Sequence, residues 1–510
     1  MQFIQGKNRT QSVLFPENLD QIIDEQNEVR IIDLFVEGIK LDEYSFVIKT
    51  TFEGRPAYHP KDLLKLFVYG YLNQLRSSRV LEKECKRNVE VMWLMKELAP
   101  DHNTISNFRR DNEKAIRKVF RYTVSIAKEF NLIGGKLIAG DSTKLRAQNS
   151  KKNNFNPKKI ERHLAYIDNK LDEYNRALET ADQENQGIIN KEINKQNERK
   201  IFYNDLSKQL EETGETQISL SDPESRQMIT RNNITEVAYN VQTTVDAKHN
   251  LVIDYKVTNQ NDSKAMGGML RRAKTILNTT GFTALYDKGF HTGSEIKTGI
   301  EMGIEIMVAI PEVASNAPDT AYNVAHFIYH QAPDNYTCPQ GQILNTNGRW
   351  YNKDRGKSVV RIKQYKTKAC LTCPAFALCT KNKEGRQIER SEHQAYIDQN
   401  RVNIAANPKI YKRRQAIVEH PYGIIKRQWG FYYITTKRST ERASADVGLM
   451  FVAFNLRRLI NIIDKNEFKK FLQGLAFFYR DILNIAEAIE AQVLAPFLAN
   501  TNSTSLNQAA

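Results

Sequence analysis

Two short apolar segments each run directly into an aspartate, and this repeated pattern is the feature that most restricts how the chain can fold. Lys-Leu-Ile-Ala-Gly at 136–140 leads to Asp141, and Phe-Thr-Ala-Leu-Tyr at 282–286 leads to Asp287. Short apolar runs of this kind are typical of buried strands, and strand ends bring side chains to a common edge of a sheet. The pattern predicts an α/β fold in which two strands place Asp141 and Asp287 near one another.

A third carboxylate, Glu419, lies in a segment that has a helical pattern from about 400 to 428. Three carboxylates at short range repel one another unless a cation neutralises them, and Mg²⁺ prefers a few carboxylates with water and phosphate oxygens. Two such ions can activate an attacking oxygen and stabilise a leaving oxygen on phosphorus. The residues alone also allow a plainer interpretation, in which the aspartates cap loops and Glu419 pairs with a lysine.

The charge of the chain points to a polyanionic partner. Among 510 residues, 74 Lys and Arg stand against 59 Asp and Glu, which gives a net charge of +15. Such an excess favours nucleic acid or an anionic membrane surface, although a soluble protein can also simply be basic. The N-terminus is polar and the longest mostly apolar stretch, 447–456, is too short to span a bilayer. We therefore expect a cytoplasmic protein without a membrane partner, whose cysteines are reduced or bind metal.

The first 125 residues have a mostly helical pattern. Pro60 follows His59 at the start of one predicted helix, and Asp101 or Asn103 can cap a short helix that presents Arg109 and Arg110. Two compact helices followed by a polar turn and a basic helix are typical of a helix-turn-helix-like DNA-binding unit. An ordinary helical bundle with a basic surface helix is an equally good interpretation.

A long polar block at 158–212 carries apolar residues at alternating steps of four and three, which is the seam of a coiled coil. Gly187 is the predicted break between the two arms of this helical hairpin. The hairpin could be a dimerisation arm, a DNA-contacting arm or a spacer, and the spacing does not choose between them. The seam consists of Ile160, Leu164, Ile167, Leu171, Tyr174 and Leu178.

The rest of the chain has several local signals. Thr292 and Glu295 form a predicted capping box, and Pro421 should distort the helix just after Glu419. The other predicted elements are a β-hairpin at 238–257, a helix at 263–277, a central strand at 304–310 and an apolar helix at 447–463.

Four of the five cysteines lie close together in a segment rich in Pro, Asn and Gly. Four thiolates would satisfy a tetrahedral structural zinc site, and a metal would stabilise a segment poor in apolar residues. A redox pair and four unconnected thiols are the alternatives. The residues are Cys338, Cys370, Cys373 and Cys379.

Three motifs, taken together, resemble those of the DDE transposases of bacterial insertion sequences. They are Ala-Gly-Asp-Ser-Thr-Lys at 139–144, Tyr-Asp-Lys-Gly-Phe at 286–290 and Val-Glu-His-Pro-Tyr-Gly-Ile-Ile-Lys at 418–426. The family's third motif is often Tyr, then Arg, then Glu, then Lys seven residues after the Glu, and Tyr411, Arg414, Glu419 and Lys426 follow that order. The interval from Arg414 to Glu419 is one residue longer than usual. The likeness extends over roughly residues 50–465.

The resemblance implies a catalytic site of Asp141, Asp287 and Glu419 that holds Mg²⁺ or Mn²⁺. It implies that Lys426 grips a phosphate or a base beside the cut, and that Arg414 contacts DNA. Trp429 and the aromatic residues after it can stack on a flipped base or belong to the core. Double-stranded DNA, as element ends and target, is the implied partner, and a homodimer is expected on it.

The resemblance also sets the expected organisation. It implies a ribonuclease H-like mixed sheet with helices at 130–465, preceded by an all-α DNA-binding domain at 1–125. The sheet would be interrupted by the coiled-coil hairpin at 155–215 and the cysteine-containing lobe at 311–400, and followed by helices at 466–499 and a disordered tail at 500–510. The rival functions are a transposase-derived DNA-binding regulator and a metal-dependent nuclease that does not join DNA.

Overall fold

The computed structural model describes residues 18–47, 56–230, 234–311, 317–354 and 359–476. Residues 465–476 are helical, whereas the rest of the predicted C-terminal helices and the predicted tail at 500–510 lie outside the described residues. Within these ranges, no helix is both long and apolar enough to cross a membrane.

Eight helices precede the first strand among the described residues. The predicted start at Pro60 is confirmed, with His59 as the N-cap. The Asp101 carboxylate caps the helix that carries Arg109, since it accepts hydrogen bonds from the backbone N–H groups of Asn103 and Thr104. The helices are α1 (Leu19–Ile22), α2 (Glu28–Glu37), α3 (Leu41–Tyr44), α4 (Pro60–Leu72), α5 (Ser78–Arg87), α6 (Val89–Leu94), α7 (His102–Asp111) and α8 (Glu113–Glu129).

Strands and further helices make up the remainder of the described chain. The strands are β1 (Leu137–Arg146), β2 (Asn154–Phe155), β3 (Ile218–Ser219), β4 (Arg226–Ile229), β5 (Thr235–Asp246), β6 (Val252–Thr258), β7 (Thr283–Tyr286), β8 (Glu305–Val308), β9 (Ile328–His330), β10 (Asn335–Thr337), β11 (Ile343–Thr346), β12 (Tyr351–Asp354), β13 (Val359–Lys366) and β14 (Ile388–Ser391). The helices are α9 (Pro157–Thr180), α10 (Gln183–Thr213), α11 (Met266–Leu277), α12 (Gly293–Glu301), α13 (Phe376–Cys379), α14 (Gln394–Ala406), α15 (Pro408–Tyr422) and α16 (Thr440–Ile462).

The first sheet is mixed and has the order β4-β5-β1-β7-β8, with β6 also paired to β5. β1 is antiparallel to β5 and parallel to β7, and β7 is parallel to β8. One apolar core runs from Ile23 in the N-terminal helices, through this sheet, to Leu472. The N-terminal helices therefore share a core with the sheet, and α16 packs against both α4 and α8.

Two predictions about the strands were wrong in detail. β1 continues to Arg146, so that Asp141 lies within the strand and not at its end. β8 is an edge strand of the sheet and not a central one. Its apolar side chains are nevertheless buried, since α12 and α14 pack against the strand. Asn400 of α14 also exchanges two hydrogen bonds with the backbone of Val308, as a neighbouring strand would.

The predicted helical hairpin is confirmed, but its break is not at Gly187. α9 and α10 are separated at residues 181–182, and Gly187 lies inside α10. The Asp182 side chain caps α10 by accepting from the N–H of Asn185, so a cap residue decided the break and not the glycine. The first four residues of the predicted seam belong to one apolar cluster, in which Ile160 and Ile167 are buried against Tyr203, Leu206 and Leu210. The last two predicted seam residues, Tyr174 and Leu178, lie outside that cluster.

The predicted capping box at α12 does not form. Thr292 is the N-cap, but its side chain makes no cap hydrogen bond. The Glu295 carboxylate instead accepts from the backbone N–H of Gly267 at 2.7 Å. A contact with α11, which local spacing cannot reveal, replaces the box.

Between β8 and α14 lies a lobe with a sheet of its own, in the order β12-β13-β11-β10-β9, with β14 also paired to β13. All pairings in this sheet are antiparallel. In the described part of the lobe, its main apolar cluster consists of Phe327, Tyr336, Leu344, Tyr365 and Ile388.

Candidate active site

The parallel pairing of β1 and β7 brings the two predicted aspartates side by side. The register pairs Ala139 with Leu285, and two residues further along each chain are Asp141 and Asp287. Asp141 remains within β1, where it pairs with Thr243 of β5. Asp287 follows β7 and accepts a hydrogen bond from the N–H of Gly289 at 2.9 Å, which caps the turn after the strand.

Gly140 permits this close approach of the two strands. A Cβ atom at Gly140 would lie 2.0 Å from the ring of Tyr286. That ring is fully buried and packs on Phe290, at 5.1 Å between ring centroids. Gly140 precedes Asp141 and Tyr286 precedes Asp287, so the packing of Tyr286 on Gly140 holds the two aspartates at neighbouring positions.

The Asp141 carboxyl group is largely buried and lies near a second carboxylate, Asp287, and both conditions affect its pKa. Burial raises the pKa of Asp141 to about 6, against the hydrogen bond from the N–H of Ser142. Neighbouring Asp287 raises the pKa further, and Arg414 lowers it. Nη1 of Arg414 lies 3.1 Å from Oδ2 of Asp141, so an arginine on α15 provides the positive charge at this point.

One face of α15 lies across β5, β1 and the end of β7. The Tyr411 hydroxyl donates to the carbonyl oxygen of Tyr286 at 2.9 Å, and the Tyr422 hydroxyl lies 2.5 Å from Oγ1 of Thr243. Val418, between them on the helix, is buried. Tyr411, Arg414, Val418 and Tyr422 recur at helical spacing, which explains why this face and not another meets the sheet.

Glu419 is also on α15, directly after Val418, and lies beside the face that meets the sheet. Its carboxylate accepts from the side-chain amide of Gln415 at 2.9 Å and borders a groove that it shares with Ser142 and Lys144. In the part of the chain that the structure describes, no three His, Cys, Asp or Glu side chains are already arranged to hold a metal ion. The structure therefore brings Asp141 and Asp287 together on neighbouring strands and places Glu419 on the groove that Ser142 also lines.

Pro421 has the predicted effect on the helix. α15 ends at Tyr422 and continues as a π-helical turn over Gly423–Gln428. Proline cannot donate the helical hydrogen bond, and a wider turn accommodates that loss. The turn carries Lys426 to strand β1, where its ammonium donates to Oγ1 of Thr143 at 2.9 Å.

The groove beside Glu419 has a volume of about 840 Å³ and combines cations with exposed apolar side chains. Lys426 and Arg427 lie on one wall, with Tyr432, which is 48% exposed. Lys144 and Arg146 contribute from β1. Cations suit phosphates and an exposed aromatic ring suits a base, so the groove has the surface chemistry of a nucleic-acid site.

The structure does not leave Arg109 on the surface. Arg109 is 4% exposed, and its guanidinium donates to the Tyr71 hydroxyl and the Arg76 carbonyl. Together with Arg76 it faces Asp446 of α16, which is completely buried. Such a residue contributes to the packing of α4, α7 and α16, and the DNA contact predicted for Arg109 does not fit its burial.

The other predicted DNA contacts occupy different settings. Arg110 is partly exposed and forms a two-bond ion pair with Asp111. Arg414 is engaged by Asp141. Trp429 is partly buried and packs on the main core, 5.6 Å from Phe431 between ring centroids, as the core interpretation predicts.

Two aspartates, Asp262 and Asp446, hold segments of the candidate site in place and were not singled out from the sequence. Asp262 accepts from the Ser142 hydroxyl at 2.7 Å and from the Lys144 ammonium at 3.0 Å, and so fixes the chain beside Asp141. Asp446 accepts from Arg76 and from the N–H of Thr435, and so holds the segment that follows Lys426. An aspartate directly before the apolar run at 447 is a usable signal, whereas nothing local marks Asp262.

The cysteines of the lobe are brought together. Cys338, Cys370, Cys373 and Cys379 line one cavity, while Cys85 is buried in the N-terminal helices.

Comparison with known proteins gives two family matches. A family model described as a transposase domain (DUF772) matches residues 17–111, and one described as a transposase DDE domain matches residues 337–460. The second match contains Glu419 and Lys426. No curated protein matches the chain.

Among solved structures, the chain is similar to a piggyBac transposase described as a synaptic complex with hairpin DNA, determined by cryo-electron microscopy. The sequence identity is 9%, the alignment covers 94% of this chain and 85% of the other, and the TM-score is 0.29. A score this low carries no argument about the fold. Both family models describe transposase domains, and with the three motifs they support a DDE transposase of the insertion-sequence type.

Proposed function

We propose that this chain cuts DNA at the ends of its own insertion sequence and joins those ends to target DNA. The observation that carries the proposal is the register of β1 and β7, which sets Asp141 beside Asp287 beneath α15. The mixed pairing of the first sheet supports a ribonuclease H-like catalytic domain at 130–465, preceded by a DNA-binding domain at 1–125 that shares its core.

Asp141, Asp287 and Glu419 are the residues that would hold divalent metal, Mg²⁺ or Mn²⁺. The fit rests on two adjacent carboxylates, whose oxygens are the ligands that these ions prefer, facing a single arginine. Glu419 would have to leave Gln415 and turn towards Asp141 to complete the set. When bound, the metal supplies the positive charge that the carboxylates and the phosphate at the cut share.

The chain's own groups position the reaction. Glu419 orients a water molecule, whose oxygen bonds to phosphorus while the 3′ oxygen of the element end leaves and becomes a free hydroxyl. In the joining step that hydroxyl attacks a phosphate of the target, and a target 3′ oxygen is displaced. Holding the reacting groups in line lowers the barrier without a covalent enzyme intermediate.

Lys426 would grip a phosphate next to the cut, as a compact charge held in place by Thr143. Arg146 and Arg427 extend the positive wall of the groove, and exposed Tyr432 offers a surface on which a base can stack. Transposition needs two element ends at once, so we propose that two copies of the chain act together on DNA.

The proposal is tested with labelled DNA that carries the boundary between the element and its flanking sequence. We expect nicking at the boundary that requires Mg²⁺ or Mn²⁺ and is lost in Asp287→Asn, while DNA binding persists. Asp168→Asn is the matched control, because Asp168 is an aspartate in an ion pair with Lys200 on the helical hairpin. Its nicking activity should equal that of the wild type.

A plasmid target added to the same reaction separates the rival functions. Covalent attachment of the labelled end to the plasmid supports the transposase. Cleavage without attachment would indicate a nuclease that does not join, and tight binding without cleavage in either metal would indicate a regulator. Equal cleavage by Asp287→Asn would remove Asp287 from the active site.

A further inference from the structure

The cysteine lobe has less apolar core than its sheet needs. Among the described residues, the six strands share one cluster of five buried apolar side chains, and Cys338 and Cys379 pack against that small cluster. A unit with so little buried apolar surface usually depends on disulfides or a metal. All four cysteines of the lobe are free thiols in this structure.

Three separate turns carry these thiols to one cavity of about 20 Å³, which has room for one small atom. At the first turn, Gly341 has a φ of +75° and donates to the carbonyl oxygen of Cys338 at 2.8 Å. The N–H of Gln342 then points to Sγ of Cys338 at 3.3 Å.

Gly385 brings a further group to the cavity. Its φ is +96°, and a Cβ atom there would lie 2.7 Å from the Cβ of Cys370, so both the conformation and the contact require glycine. The next residue, Arg386, is 7% exposed and lines the same cavity as the four thiols.

Arg386 is a buried cation that lacks an acidic partner. Among the described residues it forms no ion pair with a carboxylate; its guanidinium lies 5.8 Å from the centre of the Phe327 ring, and its Nε atom has no hydrogen-bond partner. A buried guanidinium is costly unless negative charge compensates it. Four neutral thiols do not provide that charge, whereas four thiolates around a divalent cation carry a net charge of −2.

We propose that Cys338, Cys370, Cys373 and Cys379 bind a single structural zinc ion, and that Arg386 is a positioning residue which offsets the charge of the site. Four sulfur ligands close the tetrahedral shell and leave no position for a substrate. Binding releases the thiol protons to solvent. Since no three of these side chains are close enough together to hold a metal as they stand among the described residues, zinc binding would draw the four sulfurs closer to one another.

The first experiment measures metal in the full-length protein. Purified wild type should contain one zinc per chain, and exchange with Co²⁺ should give the intense visible bands and the thiolate charge-transfer band of tetrahedral cobalt–sulfur coordination. Cys370→Ser with Cys373→Ser should abolish both. Cys85→Ser, in the N-terminal helices, is the matched control and should retain the metal.

The cobalt spectrum of the wild type keeps the proposal testable even if the double variant does not fold. A weak spectrum typical of octahedral oxygen coordination would overturn the site. So would a metal-free wild type that folds with a disulfide between two of the four cysteines, or unchanged zinc content in the double variant.

Arg386 is tested by zinc affinity in competition with a chelator. We expect Arg386→Gln to weaken zinc binding between about 10- and 100-fold, as is usual for groups that support a metal site from outside its ligands. Arg386→Lys should restore part of the loss, because it keeps the charge. Equal affinity of Arg386→Gln and wild type would remove the role of Arg386.

Discussion

The protein contains two six-stranded sheets that are stabilised in different ways. In the first sheet, ten consecutive residues of β5 are buried. The same apolar core extends into helices that precede the sheet in the sequence and into helices that follow it. In the lobe, β13 alternates between exposed and partly buried residues, and only two of its eight residues are buried. The number of strands therefore does not determine how a sheet is stabilised; what covers its faces does.

This difference corresponds to a difference in task. Under the proposed function, the first sheet holds Asp141 and Asp287 at fixed positions, and the packing of Tyr286 on Gly140 restricts the movement of the two strands. The lobe, under the zinc proposal, is held by one metal and several surface ion pairs. Its sheet has an apolar cluster separate from that of the first sheet, so we expect the lobe to unfold without disturbing the carboxylates.

The largest expected effect comes from removing metal. Zinc contributes roughly 10–16 kcal/mol to the folding of zinc-finger peptides, so a strong chelator should unfold the lobe while the first sheet stays folded. Limited proteolysis would show early cuts within 317–392 and protection elsewhere. Equal resistance of the lobe with and without chelator would break the comparison.

The next effect is expected at Asp446, which ties the N-terminal helices to the first sheet. Although burial opposes it, Arg76 and Arg109 hold the pKa of Asp446 below its usual value. Asp446→Ala would leave two buried arginines without their partner, and we expect a loss of about 3–5 kcal/mol in the free energy of unfolding. Urea denaturation measures it, and a loss below about 1 kcal/mol would show that the N-terminal helices are held by apolar contacts alone.

A matched pair of leucines compares the two sheets directly. Leu285 of β7 and Leu344 of β11 are both completely buried. Leu285→Ala should lower the stability of the whole protein by about 2–5 kcal/mol. Leu344→Ala should leave the main thermal transition nearly unchanged and speed amide hydrogen exchange in the lobe alone. Similar shifts of the main transition in both variants would mean that the two sheets unfold together.

The smallest effect is expected at the lobe surface. Lys353 pairs with Glu389 across exposed strands, with 43% and 30% of the side chains accessible. Lys353→Met should change stability by less than about 1 kcal/mol. A larger loss, measured by hydrogen exchange of the lobe, would show that surface ion pairs and not a metal stabilise it.

Much of the first sheet follows from local sequence. The strands before Asp141 and Asp287, the start of α4 at Pro60 and the distortion after Pro421 are all set by apolar runs, proline and caps. The motifs likewise led to the family that the comparisons support. These signals act within a few residues, so the sequence carries them directly.

Other features depend on partners far away in the chain. β8 looks central but is an edge strand completed by Asn400, and the predicted capping box at Thr292 is replaced by a contact between Glu295 and Gly267. Arg109 looks like a surface cation but faces Asp446. In each case a polar group found its partner in a segment remote in sequence, which local spacing cannot encode.

The sequence by itself determined which residues can do chemistry: the carboxylates, Lys426 and the four cysteines are visible as types and spacings. Only the tertiary structure decided which of them meet. It set Asp141 beside Asp287 through the parallel register of two strands, left Glu419 on the adjacent groove, and enclosed Arg386 with the thiols. Distances between segments arise from packing and from the pairing of buried polar groups, and both are properties of the whole folded chain.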